Sequence, residues 1–400
     1  MMKRREVLKT LAVLPLSGSV APTALLTESP VPDKRNLFKE LGLRTFINAA
    51  GVYTSMSASL MPEEVLEAIT TGAGEYVMLD DVQDKVGEKI AELCHAEAAM
   101  VTAGCWSALV LGMAGVLTGM DMKKVAQLPF LPGTGMKSKV ILQKSHATGY
   151  HLALSNAGVS FVMAETRREV ENAIDEDTAM MWFLNREAPS GAIQHEEWIE
   201  IARKHGIPTM IDIASDVPPV ENLWKYNDMG FDLVAISGGK AMRGPQSAGI
   251  LMGKRNLIAA ARLNAPPRSG IARGQKVNKE EILGMYVTVE RYINLDHEKE
   301  WRLWEDQVAL IEKTAKGVDG VMTTVFVPPV ANHTPTLNIY WAKDRINISG
   351  NDLRQRLRDG SPSIEVRNGE NDGIELTVFM LKPGQERIVA QRISEELRSI

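Results

Sequence analysis

Lys240 is the residue whose surroundings most need a chemical explanation. It stands in ISGGKAMRGPQSAG, residues 236–249, directly after an apolar run, with glycines at 238 and 239 and a stiffening Pro245. Gly238 and Gly239 let the backbone turn tightly and let another molecule approach closely. A lysine amine attacks aldehydes once desolvation or a neighbouring cation lowers its pKa, and Arg243 is the cation nearest in sequence. The plain alternative is a solvated turn lysine. Upstream, TMIDIASD sets Asp212 near the end of another apolar run, where a charge is costly without a partner. A protonated pyridine nitrogen is such a partner; a capping or loop carboxylate is the ordinary alternative.

A third stretch, VTAGCWSALVLGMAGVLTG, opens a helix pattern at Gly104. Free amides at Cys105, Trp106 and Ser107 would cradle a phosphate at that helix N-terminus, with Ser237 adding a hydroxyl to it and Thr102 and Ser215 as further cofactor-binding candidates. The Trp106 indole either closes part of the pocket or belongs to the core. In QKSHATGYH, His146 offers a flat ring for stacking on a planar cofactor, or is a loop histidine without a role. His151 is poorly spaced to share a metal with it, and QHEEW lacks the second histidine of a metalloprotease helix, so no metal site is expected. Cys94 and Cys105, the two cysteines, fit no metal spacing and are expected as free thiols.

The elements that must position these residues follow from the patterning. The runs AAMVTA, KVILQK, VSFVMAE, TAMMWFLN, TMIDIA, DLVAISG and AGILMG have strand length, and amphipathic stretches such as EEWIEIARKHG separate most of them. Near-continuous apolar strands alternating with helices imply an α/β fold: a seven-stranded, mainly parallel sheet covered on both faces. Its ligand site belongs at the carboxyl ends of the strands. Ahead of it, RTFINAAGVYTSM reads as a short strand entering a glycine turn. From about Gly274 to Gly317 the pattern is one long connecting helix. VMTTVFVP, TPTLNIYWA, SIEVRN and GIELTVFML then alternate with two helices as a small α+β domain on an antiparallel sheet. The boundaries are 1–30 for an export segment, 31–97 for an N-terminal arm and helices, 98–274 for the large domain, 275–316 for the connector and 317–400 for the small domain.

The chain has 400 residues, 44% of them hydrophobic and 24% charged, with a formal net charge of −5. That is a globular composition, and it argues against a nucleic-acid partner, which calls for a basic face. The opening MMKRREVLKTLAVLPLSGSVAPTALL has the layout of a signal peptide and is too short for a membrane span. Arg4-Arg5 ahead of Leu8-Lys9 resembles a twin-arginine signal, which implies a periplasmic or exported protein; a basic start to an ordinary helix leaves it cytoplasmic.

The phosphate turn, the aspartate and the Ser-Gly-Gly-Lys segment, in this order, resemble the fold-type-I, aspartate-aminotransferase-like superfamily of pyridoxal-phosphate (PLP) enzymes. Within it, FDLVAISGGKAMRGPQSAGILMGK is similar to the selenocysteine synthase group and, more closely, to its D-glucosaminate-6-phosphate ammonia-lyase branch. INAAGVYTSM, VGEKIAELCHAEAAMVTAG, LPGTGMKSKVILQKSHATGYH and ARGQKVNKEEILGMY extend the similarity over roughly residues 40 to 395. The resemblance implies that Lys240 forms the Schiff base with the cofactor, that Asp212 faces the ring nitrogen, and that a dimer completes the site. Two features depart from it. The place of the transferase's tRNA-binding domain is taken by the export-like segment, and Cys105 and bulky Trp106 follow the phosphate-turn glycine.

The expected activity is a lyase that removes ammonia from a hydroxy amino acid or amino-sugar acid by α,β-elimination, with Lys240 as general base and Arg243 as a substrate-binding candidate. Arg367 is the candidate for the substrate carboxylate, or else one half of a surface ion pair. Arg268, Arg273 and Lys276 reach a phosphate across the dimer, or form a solvated basic loop. The same apparatus supports a racemase, an aldolase or a selenium-transferase-like enzyme. A non-catalytic exported binding protein is the reading from another class.

Overall fold

The seven apolar runs form one sheet in the computed structural model, which describes residues 35–399. The export-like segment lies outside the described residues. The strands are β1 (Ala98–Thr102), β2 (Lys139–Gln143), β3 (Ser160–Ala164), β4 (Thr178–Leu184), β5 (Thr209–Asp212), β6 (Leu233–Ser237) and β7 (Gly249–Gly253). Their order is β1-β7-β6-β5-β4-β2-β3. Only β7 runs against its neighbours; the pairs β6·β5, β5·β4, β4·β2 and β2·β3 are parallel.

Burial on both faces explains why the strands read as unbroken apolar runs. Val140, Leu142, Met180, Trp182, Leu184, Met210, Leu233 and Ala235 pack into the core on one face. Ile141, Met181, Phe183, Ile211, Val234 and Ile236 pack into the core on the other. Helix α1 (Leu79–Leu93) crosses β1 so closely that a side chain at Gly87 would meet the Ala99 carbonyl. Helix α2 (Gly104–Thr118) is apolar nearly all round and buried accordingly. Helix α3 (His195–His205) carries Glu196 and Glu197 in its first turn, basic residues in its last, and stops at left-handed Gly206. Helix α4 (Asn222–Met229) ends likewise at Gly230.

The connector differs from the single helix expected. It is two helices, α5 (Lys279–Ile293) and α6 (His297–Lys316), because Asp296 accepts from the Lys299 amide and restarts the chain as a new N-cap. A third core then gathers Trp304, Val308, Ile311, Leu337, Ile339, Leu353, Ile374 and Ile393. Its sheet is antiparallel, in the order β10-β11-β9-β8, from β8 (Val321–Phe326), β9 (Thr336–Trp341), β10 (Arg367–Asn368) and β11 (Ile374–Thr377). Helices α7 (Gly350–Asp359) and α8 (Gln385–Arg398) accompany it. SIEVRN is not one strand. Ile364–Glu365 pairs in parallel with Ile47–Asn48, and only Arg367–Asn368 joins the four-stranded sheet.

From Phe46 onward the chain is one compact unit; the segment before it is separate and contains the short helix Leu37–Glu40, capped by the Asn36 side chain. Among the described residues no helix is long and apolar enough to cross a membrane.

Candidate active site

Strand β6 ends at Ser237, and the next three residues turn back sharply. The Gly238 amide donates to the Ala248 carbonyl at 2.9 Å, Gly244 donates to Gly238 at 2.8 Å and Arg243 donates to Lys240 at 2.9 Å. A side chain at Gly239 would run into the Gln246 backbone, so the turn closes only around glycine. Ser59 Oγ donates to the Gly239 carbonyl at 2.9 Å, and Gln246 donates to the Thr54 carbonyl at 3.2 Å. The segment following the Gly51 turn is thereby laid along the lysine loop. Lys240 is half-buried, and no acceptor among the described residues lies within hydrogen-bond distance of its amine.

Asp212, 3% exposed, closes β5. Its Oδ1 accepts from the Ala214 amide at 2.9 Å and from the Cys105 thiol at 3.6 Å. Burial pushes its carboxyl above the ordinary range, while the Ala214 amide, the Lys240 ammonium, Cys105 and Arg186 pull it back. The Lys240 charge also acts on Cys105 and on Asp216, so these side chains share one electrostatic neighbourhood. Both cysteines are buried free thiols.

Helix α2 points its first turn at the same edge. Gly104 has φ +80°, and Thr102 Oγ1 donates to its carbonyl at 2.9 Å. Across β7, a side chain at Gly249 would lie 2.7 Å from the Cys105 nitrogen, so this glycine lets the helix start against the sheet. Ser107 Oγ is buried without a hydrogen-bond partner in that first turn, beside amides that have no intrahelical acceptor. Trp106 is 46% exposed and therefore outside the core. Ser215 is half-buried, with its carbonyl accepting from the Asn332 amide at 2.8 Å.

Three expectations are corrected by geometry. His146 is fully buried, its ring edge on Phe183 with centroids 4.5 Å apart, and its Nδ1 accepts from the Leu184 amide at 3.1 Å. It presents no open face for stacking, and burial keeps it neutral, down to about 4. Arg243 is turned away from Lys240: its buried guanidinium needs an acceptor and takes the Phe379 carbonyl. Arg268 is committed to Asp80 at 3.0 Å, which leaves Arg273 and Lys276 as the exposed cations of that loop. Arg367 pairs with Glu375 and donates to the Tyr53 hydroxyl at 2.8 Å. Tyr53 stands in the segment laid along the lysine loop, which keeps Arg367 beside the site.

The structure adds residues that the patterning missed. Asn185, just past β4, donates to Asp216 Oδ2 at 2.9 Å and to the Tyr226 hydroxyl at 2.7 Å. Its carbonyl oxygen lies 2.6 Å from His195 Nε2, which donates to it. The available signal was a polar residue ending a fully apolar strand; Asp216 gave none, since a second acid after a strand reads as loop.

Comparison with known proteins finds relatives along most of the chain. The class-V aminotransferase family model matches residues 163–281, the stretch holding Asn185, Asp212 and Lys240. D-glucosaminate-6-phosphate ammonia lyase of Salmonella typhimurium is 24% identical over 90% of this chain and 97% of its own length. An L-seryl-tRNA(Sec) selenium transferase of Aquifex aeolicus is 26% identical over 82% of this chain and 79% of its own. A solved D-glucosaminate-6-phosphate ammonia-lyase superposes with a TM-score of 0.79 at 22% identity, covering 92% of this chain and 99% of that one.

Proposed function

We propose that this chain, which has the fold-type-I architecture of PLP enzymes, is a PLP-dependent lyase that eliminates ammonia from a hydroxy amino acid or amino-sugar acid. The observation that carries this reading is the meeting of Lys240, Asp212 and the first turn of α2 at the carboxyl edge of one sheet. The residues fit the cofactor: Ser107 Oγ lacks a partner, the first amides of α2 have no intrahelical acceptor, and Gly249 lets the helix start against the sheet.

Lys240 would hold the cofactor through its amine, Asp212 would face the ring nitrogen, and α2 with Thr102, Ser215 and Ser237 would receive the phosphate. When bound, PLP supplies an electron-accepting ring conjugated to the substrate nitrogen. The Lys240 amine would serve as the general base toward the Cα proton. Arg367, oriented by Tyr53 and Glu375, binds the substrate carboxylate. The similarity to selenium transferases favours a second reading, group transfer at the same site.

We also assign the chain to a homo-oligomer, with Arg273 and Lys276 serving a neighbour's site, and to an exported location through Arg4-Arg5. Borohydride reduction with peptide mapping tests the core of the proposal. Phosphopyridoxyl label is expected on Lys240, and label on another lysine overturns the site. Ammonia and keto-acid release from D- and L-hydroxyamino acids and amino-sugar acids then separates a lyase from a transferase, a racemase or an aldolase.

A further inference from the structure

Behind Asp212 lies a second buried carboxyl that the proposed chemistry does not use. Asp216 is 1% exposed and follows Asp212 by four residues. Its Oδ2 accepts from Asn185 at 2.9 Å, and its backbone carbonyl accepts from Asn222 Nδ2 at 2.5 Å. Its Oδ1 is buried with no hydrogen-bond partner. A native protein does not keep a bare carboxylate oxygen in its interior without cause. Asn185 is itself saturated by Tyr226 and His195, so the amide is locked and holds the acid in one orientation.

We infer that Asp216 is a second acid of this site, a carboxyl fixed by Asn185 whose gain or loss of one proton sets the charge facing Lys240. It is a positioning residue: it acts through the charge on the Lys240 nitrogen and exchanges its proton with solvent. The inference rests on the reading that Lys240 binds PLP. The groups around it are Asp212 on its own segment, Lys240 after β6, Arg186 after β4, Tyr226 on α4 and Cys105 on α2. His195 on α3 is kept neutral by burial, down to about 4, and adds no charge. Burial raises Asp216 from 3.8 to about 7; Asp212 pushes the same way, and the Asn185 amide, Lys240 and Arg186 oppose.

The sign follows from linkage. A carboxyl that holds its proton more tightly when folded stabilises the fold below its unfolded pKa, and that stabilisation is lost as pH rises from about 4 to 7. The cofactor-free Asp216→Asn variant lacks this loss. Its melting temperature relative to wild type is expected to rise by several degrees between about pH 5 and pH 8. In the PLP-loaded proteins, visible absorbance reports the proton on the nitrogen joining cofactor to lysine. Loss of the Asp216 charge is expected to move that absorbance step to lower pH in Asp216→Asn than in wild type. A melting gap independent of pH, or an identical step in the variant, overturns the inference. Wild type that binds no PLP but keeps the pH-dependent gap overturns the functional reading instead and leaves the Asp216 proton standing. Should Asp216→Asn not fold, infrared titration of wild type and Asp212→Asn decides. A protonated-carboxyl band that fades between about pH 6 and pH 8 in wild type, and that persists in Asp212→Asn but fades at lower pH, supports Asp216, and its absence from both refutes it.

Discussion

In the proposed function, Asp212 trades stability for chemistry. Its charge is buried, opposed by desolvation and retained by the Ala214 amide and the Lys240 field. Asn is nearly isosteric and its Oδ1 still accepts from Ala214, so Asp212→Asn should fold at least as well without cofactor as wild type. It cannot hold a proton on a ring nitrogen, and kcat should fall by about 10²-fold or more. Melting temperature and steady-state kinetics at full cofactor occupancy check both halves. A variant with near-wild-type kcat would remove Asp212 from its role.

The elements do the positioning, and β7 with α2 shows how. Strand β7 sits antiparallel between β1 and β6, and Gly249 at its start faces the backbone where α2 begins. Gly249→Ala would force a methyl against the Cys105 amide, moving the first turn of α2 off the sheet. A loss of about 1–3 kcal/mol is expected, and PLP affinity should fall further than a distant mutation of equal cost would bring about. Denaturant midpoints and a PLP titration measure the two effects. The strands themselves were legible because burial on both faces is a local property of sequence. The lysine turn and the turn at Gly104 were legible because glycines mark close approaches. The direction of side chains was not. Arg243 lies three residues from Lys240 yet points to Phe379, and His146 follows a strand yet packs beneath Phe183, because distant segments supply their partners. The break at Asp296 was masked by helix-forming residues on both sides.

At the scale of the whole molecule, the question is where the remaining cations of the site come from. Arg243 and Arg268 are consumed within the chain by Phe379 and Asp80. Arg273 and Lys276 remain exposed, with no ion-pair partner among the described residues, on a loop held at its base by Arg268. If they serve a neighbour, two-fold symmetry makes the contribution reciprocal: each site takes its lysine from one subunit and its loop from the other. Lys240→Ala and the double variant Arg273→Ala/Lys276→Ala should then each be inactive or nearly so as purified homo-oligomers. Dissociating and re-associating an equal mixture would place one intact lysine opposite one intact loop in every hybrid. In a dimer, random exchange makes half the molecules hybrids with one working site of two, so about a quarter of wild-type activity should return. Recovery must track the fraction of hybrid measured by differential tagging. Demonstrated subunit exchange without recovered activity would return the loop to its own chain's site and withdraw the shared architecture.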